Sequence, residues 1–146
     1  MDVIHFPEDA RPARWVDPVL ALGNFDGVHR GHRKILDRLH RVAVERGATS
    51  VVMTFDPHPP RVVRPDKAPA LLMTKAQKLE AIADAGVQGA AIVRFTPELS
   101  RWEPETFVRT VLVDWLRRRA KKARRVASVC TGAFLLGATG TLRARC

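Results

Sequence analysis

The sequence has only two cysteines, no long apolar run and no acidic residue after Asp114. The cysteines, Cys130 and Cys146, both lie near the C-terminus, so they cannot frame a disulfide scaffold. No apolar stretch approaches the roughly 18 residues that a membrane span needs. The N-terminal stretch lacks the basic start and apolar core of a signal peptide. These absences argue against membrane-spanning and disulfide-rich secreted proteins, and we expect a cytoplasmic protein.

The positive charge of the chain is concentrated near its C-terminus. The 146 residues, 46% hydrophobic and 27% charged, have the size and composition of one globular domain. The formal net charge is +10, and the densest basic segment is RRRAKKARR at 117–125. Such a run can bind nucleic acid or anionic lipid. No aromatic residue interleaves with it, as one would on a base-stacking surface, so the preferred interpretation is a solvated helix end or a disordered segment.

Strand-like and helix-like segments alternate along the first three quarters of the chain. After a polar lead-in, short apolar runs predict buried strands at 18–25, 50–55 and 89–95. Apolar stripes at helical spacing predict helices at 31–46, from Thr74 onward, and from about Pro104 to 116. Thr74 is a candidate N-cap and Gly47 a candidate C-cap, whereas the prolines after Asp56 predict a loop. This β-α-β-α-β-α order implies an α/β fold with a parallel sheet, whose ligands bind beyond the carboxyl ends of the strands.

The decapeptide GNFDGVHRGH at 23–32 lies where such a ligand is expected. A glycine-rich turn lets the backbone approach a phosphate, and the helix N-terminus supplies free N–H groups and partial positive charge. His29 and His32 are three residues apart, so both imidazoles face the same side of the first turn and can donate to phosphate oxygens. Asn24 and Asp26 could hold a nucleotide or help place a metal ion. The run is neither a P-loop nor G-x-G-x-x-G.

The two histidines also fit a transition-metal site, which is the structural alternative to a phosphate site. Such a site needs a third and fourth ligand, and the only nearby candidate is His58. We therefore predict no metal-ligating protein residues here.

The segment LGNFDGVHRGH resembles the His-x-Gly-His signature of a Rossmann-like nucleotidyltransferase superfamily. A longer match, over about residues 18–116, is to the FMN adenylyltransferase (FAD synthetase) module of bacterial bifunctional riboflavin kinase/FAD synthetases. It extends through VVMTFDPHP, RPDKAPALLMTKAQKLEAIADAGV and FTPELSRWEPETFVRTVLVDWL. The combination of GNFDGVHRGH with TFDPHP is much more specific than His-x-Gly-His alone.

The resemblance implies adenylyl transfer from ATP to FMN, giving FAD and pyrophosphate with Mg²⁺ present. It implies that His29 and His32 are catalytic and contact the ATP phosphates. The implied ATP-binding residues are Gly23, Asn24, Phe25, Asp26 and Gly31. The implied FMN-binding residues are Phe55, Asp56, Pro57, His58 and Pro59, although that segment also fits a rigid proline turn with no binding role.

The C-terminal thirty or so residues depart from this family's pattern. The family continues with a fourth strand, a G-x-N/D-F-x-F-G segment and a riboflavin kinase domain, and none of these is in the sequence. Residues 125–141, RRVASVCTGAFLLGATG, instead resemble the strand, cysteine elbow and helix of the amidotransferase-like domain of AraC-type regulators. We expect a C-terminally truncated nucleotidyltransferase domain at 1–116 and a tail at 117–146. In that tail, a strand at 125–129 could pair beside the strand at 89–95.

Two alternatives to an active enzyme stay open. One is a catalytically impaired nucleotide-binding remnant or chimeric fragment. The other is a regulatory or nucleic-acid-binding fragment that uses 117–125. The sequence leaves the oligomeric state open.

Overall fold

A parallel β-sheet forms the centre of the fold. A computed structural model of the chain describes residues 1–113 and 127–128. The strands are β1 (Asp2–Phe6), β2 (Val19–Leu22), β3 (Ser50–Asp56), β4 (Gly89–Arg94) and β5 (Ala127–Ser128). They lie in the order β1-β4-β3-β2-β5, and every neighbouring pair is parallel. The α/β fold with a parallel sheet expected from the sequence is therefore confirmed.

From β2 onward, the helices follow the strands in the predicted alternation. They are α1 (Arg30–Glu45), α2 (Pro59–Val63), α3 (Lys75–Asp84) and α4 (Pro104–Phe107), and α4 continues as a π-helix over Val108–Val113. Short 3-10 turns precede α1 at Asp26–Val28, α3 at Pro65–Lys67 and α4 at Leu99–Arg101. The side chain and backbone of Thr74 form a capping box with Gln77, which begins α3 as predicted. Gly47 follows α1 with a φ of 58°, the left-handed conformation that a helix C-terminus favours.

Successive side chains of the central strands enter two separate apolar clusters, one on each face of the sheet. On β3, Val51 and Met53 belong to one cluster and Val52 to the other, and all three are fully buried. The Val52 face is covered by α1 and α3 through Leu36, Leu39 and Ile82. The opposite face is covered by Trp15 and by Phe107, Val108 and Val111. Because both faces are covered, the strands are continuous apolar runs rather than alternating ones.

Three sequence-based expectations about the fold are wrong. The polar lead-in contains a strand, β1, that pairs with β4 and forms one edge of the sheet. The proline-rich loop contains α2, because Pro59 and Pro60 fit the first turn of a helix, where no N–H donor is needed. The short C-terminal strand β5 pairs with β2. It does not pair with β4, which already has β1 and β3 as neighbours.

Several other expectations lie outside the described residues. These are the end of the third predicted helix at 114–116, the basic run at 117–125, and most of the segment at 125–141. Within the described part of the chain, no helix is both long and apolar enough to cross a membrane. The cytoplasmic location stays a prediction.

Candidate active site

The turns that leave β2 and β3 meet at the carboxyl edge of the sheet. The Gly23 N–H donates to Met53 O at 3.0 Å, which continues the pairing of the two strands by one residue. The buried hydroxyl of Thr54 donates to Asn24 O at 3.1 Å. The decapeptide and the DPHPP segment, separated by about thirty residues in sequence, are therefore neighbours in the fold, as the parallel order predicts.

The two histidines of the decapeptide stack at the N-terminus of α1. Their ring centroids are 3.7 Å apart and the ring planes differ by 19°. His29 is the N-cap, and its Nδ1 accepts from the His32 backbone N–H at 3.3 Å. The proton of a neutral His29 is therefore assigned to Nε2, which can donate to a ligand. The first helical N–H to reach a backbone carbonyl is that of Arg33, so the Arg30 and Gly31 N–H groups have no intrahelical acceptor.

Gly31 makes the stacked arrangement sterically possible. A Cβ at this position would lie 3.2 Å from Cε1 and Nδ1 of the His29 ring, which is closer than most Cβ contacts. Its absence lets the His29 ring lie over the first turn of α1, against the ring of His32. This gives a local physical reason for glycine between the two histidines.

Burial lowers the pKa of His32, and the neighbouring His29 lowers it further, while Asp26 opposes both effects. Among the described residues, His32 Nδ1 is a buried polar atom without a hydrogen-bond partner. The ring centroids of Phe25 and His32 are 5.2 Å apart, with the ring planes tilted by 52°. The neutral imidazole is therefore the favoured form of His32 in the free protein.

The residues between β2 and α1 form a tight turn with unusual backbone angles. Phe25 and Val28 have φ values of 51° and 30°, and Gly27 has a φ of 77°. Left-handed conformations at residues other than glycine cost on the order of 1–3 kcal/mol and cluster at functional sites. Both strained side chains are buried, Phe25 being 2% exposed, so apolar packing offsets the strain. Phe25 therefore faces the core, whereas Gly23 and Asn24 are half-buried at the turn.

Asp26 fixes a second segment of chain at the site. Its two carboxylate oxygens lie 3.2 Å from the Leu72 backbone N, just before α3. Leu72 itself is exposed at 74%, and its side chain contacts the position that a Cβ on Gly27 would occupy. The Asp26 charge also opposes the lowering of the pKa values of His32, His58 and Lys78, for which burial is the main cause.

The segment after β3 places its residues in different environments. Phe55 is half-buried and packs edge-on against Phe95, with ring centroids 5.5 Å apart. Asp56 accepts from Lys75 Nζ at 2.9 Å, and Pro57 is exposed. His58 precedes α2, which begins at Pro59. Burial lowers the pKa of His58, with smaller contributions from Lys78 and Arg61, although Asp26 opposes them.

Lys78 is a residue of the site that the sequence analysis missed. It extends from α3 to the carboxyl edge of the sheet, where its ammonium group is 3.3 Å from each of three oxygens: Asn24 O, Thr54 Oγ1 and Phe55 O. One sequence signal could have found it. Lys78 lies four residues before the buried Ile82, so it faces the sheet rather than solvent.

The arrangement suits an anionic ligand better than a protein-bound transition metal. Over residues 1–113 and 127–128, no three His, Cys, Asp or Glu side chains lie close enough together to hold a metal ion. The same edge of the sheet presents the histidine pair and His58, with the N-terminus of α1 among them. These groups donate hydrogen bonds or carry positive charge, which is the chemistry that phosphate groups require.

Comparison with known proteins identifies the family. The model of a family described as FAD synthetase matches residues 11–123. The chain belongs to the FAD synthetase family. Its resemblance to FMN adenylyltransferase modules and its Rossmann-like nucleotidyltransferase fold are thereby confirmed.

Three similar curated proteins are each about three times longer than the region they share with this chain. The bifunctional riboflavin kinase/FMN adenylyltransferase of Escherichia coli strain K12 is 40% identical over 99 residues, which cover 68% of this chain and 32% of that protein. The protein of the same description from Listeria monocytogenes is 35% identical over 116 residues, covering 77% and 37%. The Bacillus subtilis protein is 40% identical over 91 residues, covering 62% and 29%. The chain thus spans about a third of the length of the curated relatives it matches.

A solved structure supports the fold alone. The structure titled macrolide-efflux protein, from Streptococcus pneumoniae, superposes with a TM-score of 0.62 at 23% identity. The match covers 75% of this chain and 38% of that one.

Proposed function

We propose that this chain catalyses adenylyl transfer from ATP to FMN, giving FAD and pyrophosphate. The observation that carries the proposal is the stacked pair His29 and His32 at the N-terminus of α1, on the carboxyl edge of a parallel sheet. Membership of the FAD synthetase family supports the reaction class. A division into a nucleotidyltransferase domain at 1–116 and a tail at 117–146 is part of the proposal.

The reaction requires no protein nucleophile. An oxygen of the FMN phosphate attacks the α-phosphorus of ATP and forms a new P–O bond. The bond from that phosphorus to the oxygen bridging the α- and β-phosphates breaks, and pyrophosphate leaves with the electron pair. The protein therefore acts by positioning the two phosphates and by stabilising the negative charge of the transition state.

His29 and His32 stabilise this charge in the proposed mechanism. The Nε2–H of His29 donates to an ATP phosphate oxygen, because its Nδ1 is already occupied by the His32 backbone N–H. The Arg30 and Gly31 N–H groups add donors and the positive end of the helix dipole. The partial burial of His32 strengthens its interaction with a phosphate, because the local dielectric constant is lower than in water.

The remaining predicted residues divide between the two substrates. The adenosine side is the turn after β2, formed by Gly23, Asn24, Phe25 and Asp26. Phe25 contributes to this side through a side chain that lies in the core. The FMN side is the turn after β3, formed by Phe55, Asp56, Pro57, His58 and Pro59.

Mg²⁺ fits this site as an ion held mainly by substrate. The metal commonly uses one or two carboxylates together with phosphate oxygens and water. Asp26 is a half-buried carboxylate on the same turn, and accepting from the Leu72 N–H leaves further lone pairs on its two oxygens. Bound there, the ion would neutralise phosphate charge.

The test is to incubate the full chain with FMN, ATP and Mg²⁺ and to measure FAD and pyrophosphate together. Equal amounts of the two products are expected. His29→Ala and His32→Ala should each lower the rate by about 100-fold, since a single transition-state donor contributes about 10²–10³. His5→Ala is the matched control, because His5 is exposed on β1, at the far side of β4 and β3 from β2.

Wild-type turnover no greater than that of the histidine variants contradicts the proposal. If ATP then still raises the melting temperature of the chain, the alternative of a nucleotide-binding remnant without catalysis takes its place. If ATP has no effect on melting, both are rejected.

A further inference from the structure

We propose that Lys78 is a positioning residue that fixes the turn after β2 relative to the turn after β3. This inference rests on the proposed function, because it assigns one turn to ATP and the other to FMN. Lys78 contacts neither substrate in this role. It acts through the backbone of the two turns.

The three contacts of Lys78 satisfy its ammonium group completely. An ammonium has three N–H donors, and Lys78 Nζ has three oxygen neighbours at 3.3 Å. A neutral amine has only two donors and would direct a lone pair at one of these oxygens. The contact set therefore matches the charged form, although burial lowers the pKa of Lys78 and the nearby Lys75 lowers it slightly. Asp56 and Asp26 act in the opposite direction.

The three oxygens belong to two different strand ends. Asn24 O is two residues beyond the end of β2, whereas Thr54 Oγ1 and Phe55 O belong to the last residues of β3. The Thr54 hydroxyl also donates to Asn24 O, so that this carbonyl accepts from both Lys78 and Thr54. A single side chain from α3 thus joins the two turns in one closed hydrogen-bond network.

Asn24 is the position at which such a restraint has the greatest effect. It directly precedes Phe25, the first residue of the left-handed turn that leads to His29. A shift of Asn24 O would pass along this short turn to the histidine pair. Phe55 O lies at the start of the segment assigned to FMN. Because a displacement of about 1 Å between reacting groups can cost about 100-fold in rate, a tie between these two turns controls the alignment of the substrates.

Lys75 provides a contrast on the same helix. Among the described residues, its Nζ pairs with the side chain of Asp56, and the two side chains are 49% and 41% exposed. Exposed ion pairs of this kind contribute little to structure. Both lysines lie on α3 and carry a positive charge, but only Lys78 bridges the backbones of both turns.

The experiment compares the full-length wild type with Lys78→Met, which keeps an unbranched side chain as long as the lysine stem and removes the ammonium donors. Arg41→Met is the matched control, since Arg41 is an exposed cation on the outer face of α1. For FAD formation, Lys78→Met should lower kcat by about 100-fold while KM for ATP rises by only about tenfold, because the alignment of the substrates is lost to a greater degree than ATP affinity. Arg41→Met should leave both constants unchanged.

Amide hydrogen exchange provides a second measurement, which does not depend on catalytic activity. In Lys78→Met, exchange should become faster in segments 24–28 and 55–58 and stay unchanged in β4. Methylammonium added to Lys78→Ala should restore part of kcat, because it can return an ammonium to the vacated position. A variant with only a packing defect would not respond to the added cation.

The outcomes separate this inference from the proposed function. If the wild type makes no FAD, the proposed function fails. Hydrogen exchange alone then tests whether Lys78 holds the two turns together. Unchanged exchange in the two segments, or faster exchange throughout the chain, overturns the role of Lys78. An active wild type with an equally active Lys78→Met variant also overturns it.

Discussion

Thr54→Val should separate the stability of this fold from its capacity to bind ATP. Thr54 is 1% exposed, and its hydroxyl donates to Asn24 O at 3.1 Å and accepts from Lys78 Nζ at 3.3 Å. Valine has nearly the same shape and can make neither bond. The substitution therefore removes the central atom of the network between the two turns and leaves the packing of β3 in place.

The expected loss of stability follows from these two bonds. A neutral hydrogen bond contributes about 0.5–1.5 kcal/mol, and one to a charged group contributes about 1.5–3 kcal/mol. The added methyl group of valine offsets about 1 kcal/mol of this through apolar burial. The free energy of unfolding should fall by about 2 kcal/mol, which lowers Tm by roughly 4–8 °C in a domain near this size.

Thr49→Val is the matched control for the same strand. Thr49 is also buried, and its hydroxyl accepts from the Val16 N–H at 2.9 Å and donates to Arg14 O at 3.3 Å. It lies just before β3, at the opposite end from the candidate site. Both variants should be destabilised in urea denaturation, Thr49→Val by about 1 kcal/mol because both of its lost hydrogen bonds are neutral. Only Thr54→Val should also show a smaller rise in Tm on adding ATP, because a tenfold weaker Kd removes about 1.4 kcal/mol of ligand stabilisation.

Two results would refute this reasoning. Unchanged stability of Thr54→Val would mean that the hydroxyl network contributes nothing to the fold. An equal ATP-induced rise in Tm for Thr54→Val and Thr49→Val would mean that the network does not shape the nucleotide site.

Three further predictions concern the helix N-terminus and the opposite face of the sheet. Gly31→Ala should displace the His29 ring and reduce the ATP-induced rise in Tm, measured by thermal shift. The Tm of the free protein should change little. An undiminished ATP-induced rise would count against the stacked pair as a phosphate site. Gly89→Ala should lower the free energy of unfolding by about 3 kcal/mol or more, since the new Cβ would lie 2.4 Å from the buried Trp15 ring. A urea titration that matches the wild type would disprove this contact. The pKa of His32 is lowered in the folded protein, so the unfolded chain binds its proton more readily, and stability should fall as pH drops below the ordinary value of 6.5. His32→Gln should lose less stability than wild type between pH 7.5 and pH 5.5, and equal losses in urea midpoints would show that His32 does not titrate in this way.

The helices and central strands were predictable because their signals are local. The stripe of α1, with Leu36, Leu39 and Ala43 inward, is a property of adjacent turns, and the capping box at Thr74 lies within four residues. The strands β3 and β4 are short apolar runs whose burial follows from composition alone. The positions of β1 and β5 were not predictable in this way, because a strand at the edge of a sheet acquires its partner only when the sheet forms.

In the candidate site, too, features set by neighbouring residues were predictable and contacts between distant segments were not. The decapeptide alone indicated a phosphate turn, since glycines and histidines at this spacing have a direct chemical meaning. Phe25 appeared as one residue of that turn, but its side chain is 2% exposed, because the left-handed backbone at this residue directs the ring into the core. Lys78 had no motif to mark it, and its role depends on oxygens that are 54 and 23 residues away in sequence.

The sequence by itself determined the alternation of strands and helices, the start of α3 and the glycine–histidine turn at 23–32 for which we propose phosphate binding. These depend on interactions within a few residues, which the order of amino acids specifies directly. Only the tertiary structure decided which strand ends are neighbours, that the two histidine rings stack, and that one lysine joins the two turns. Those features arise when separate segments share one sheet edge, where burial and hydrogen bonding act between residues that the chain keeps far apart.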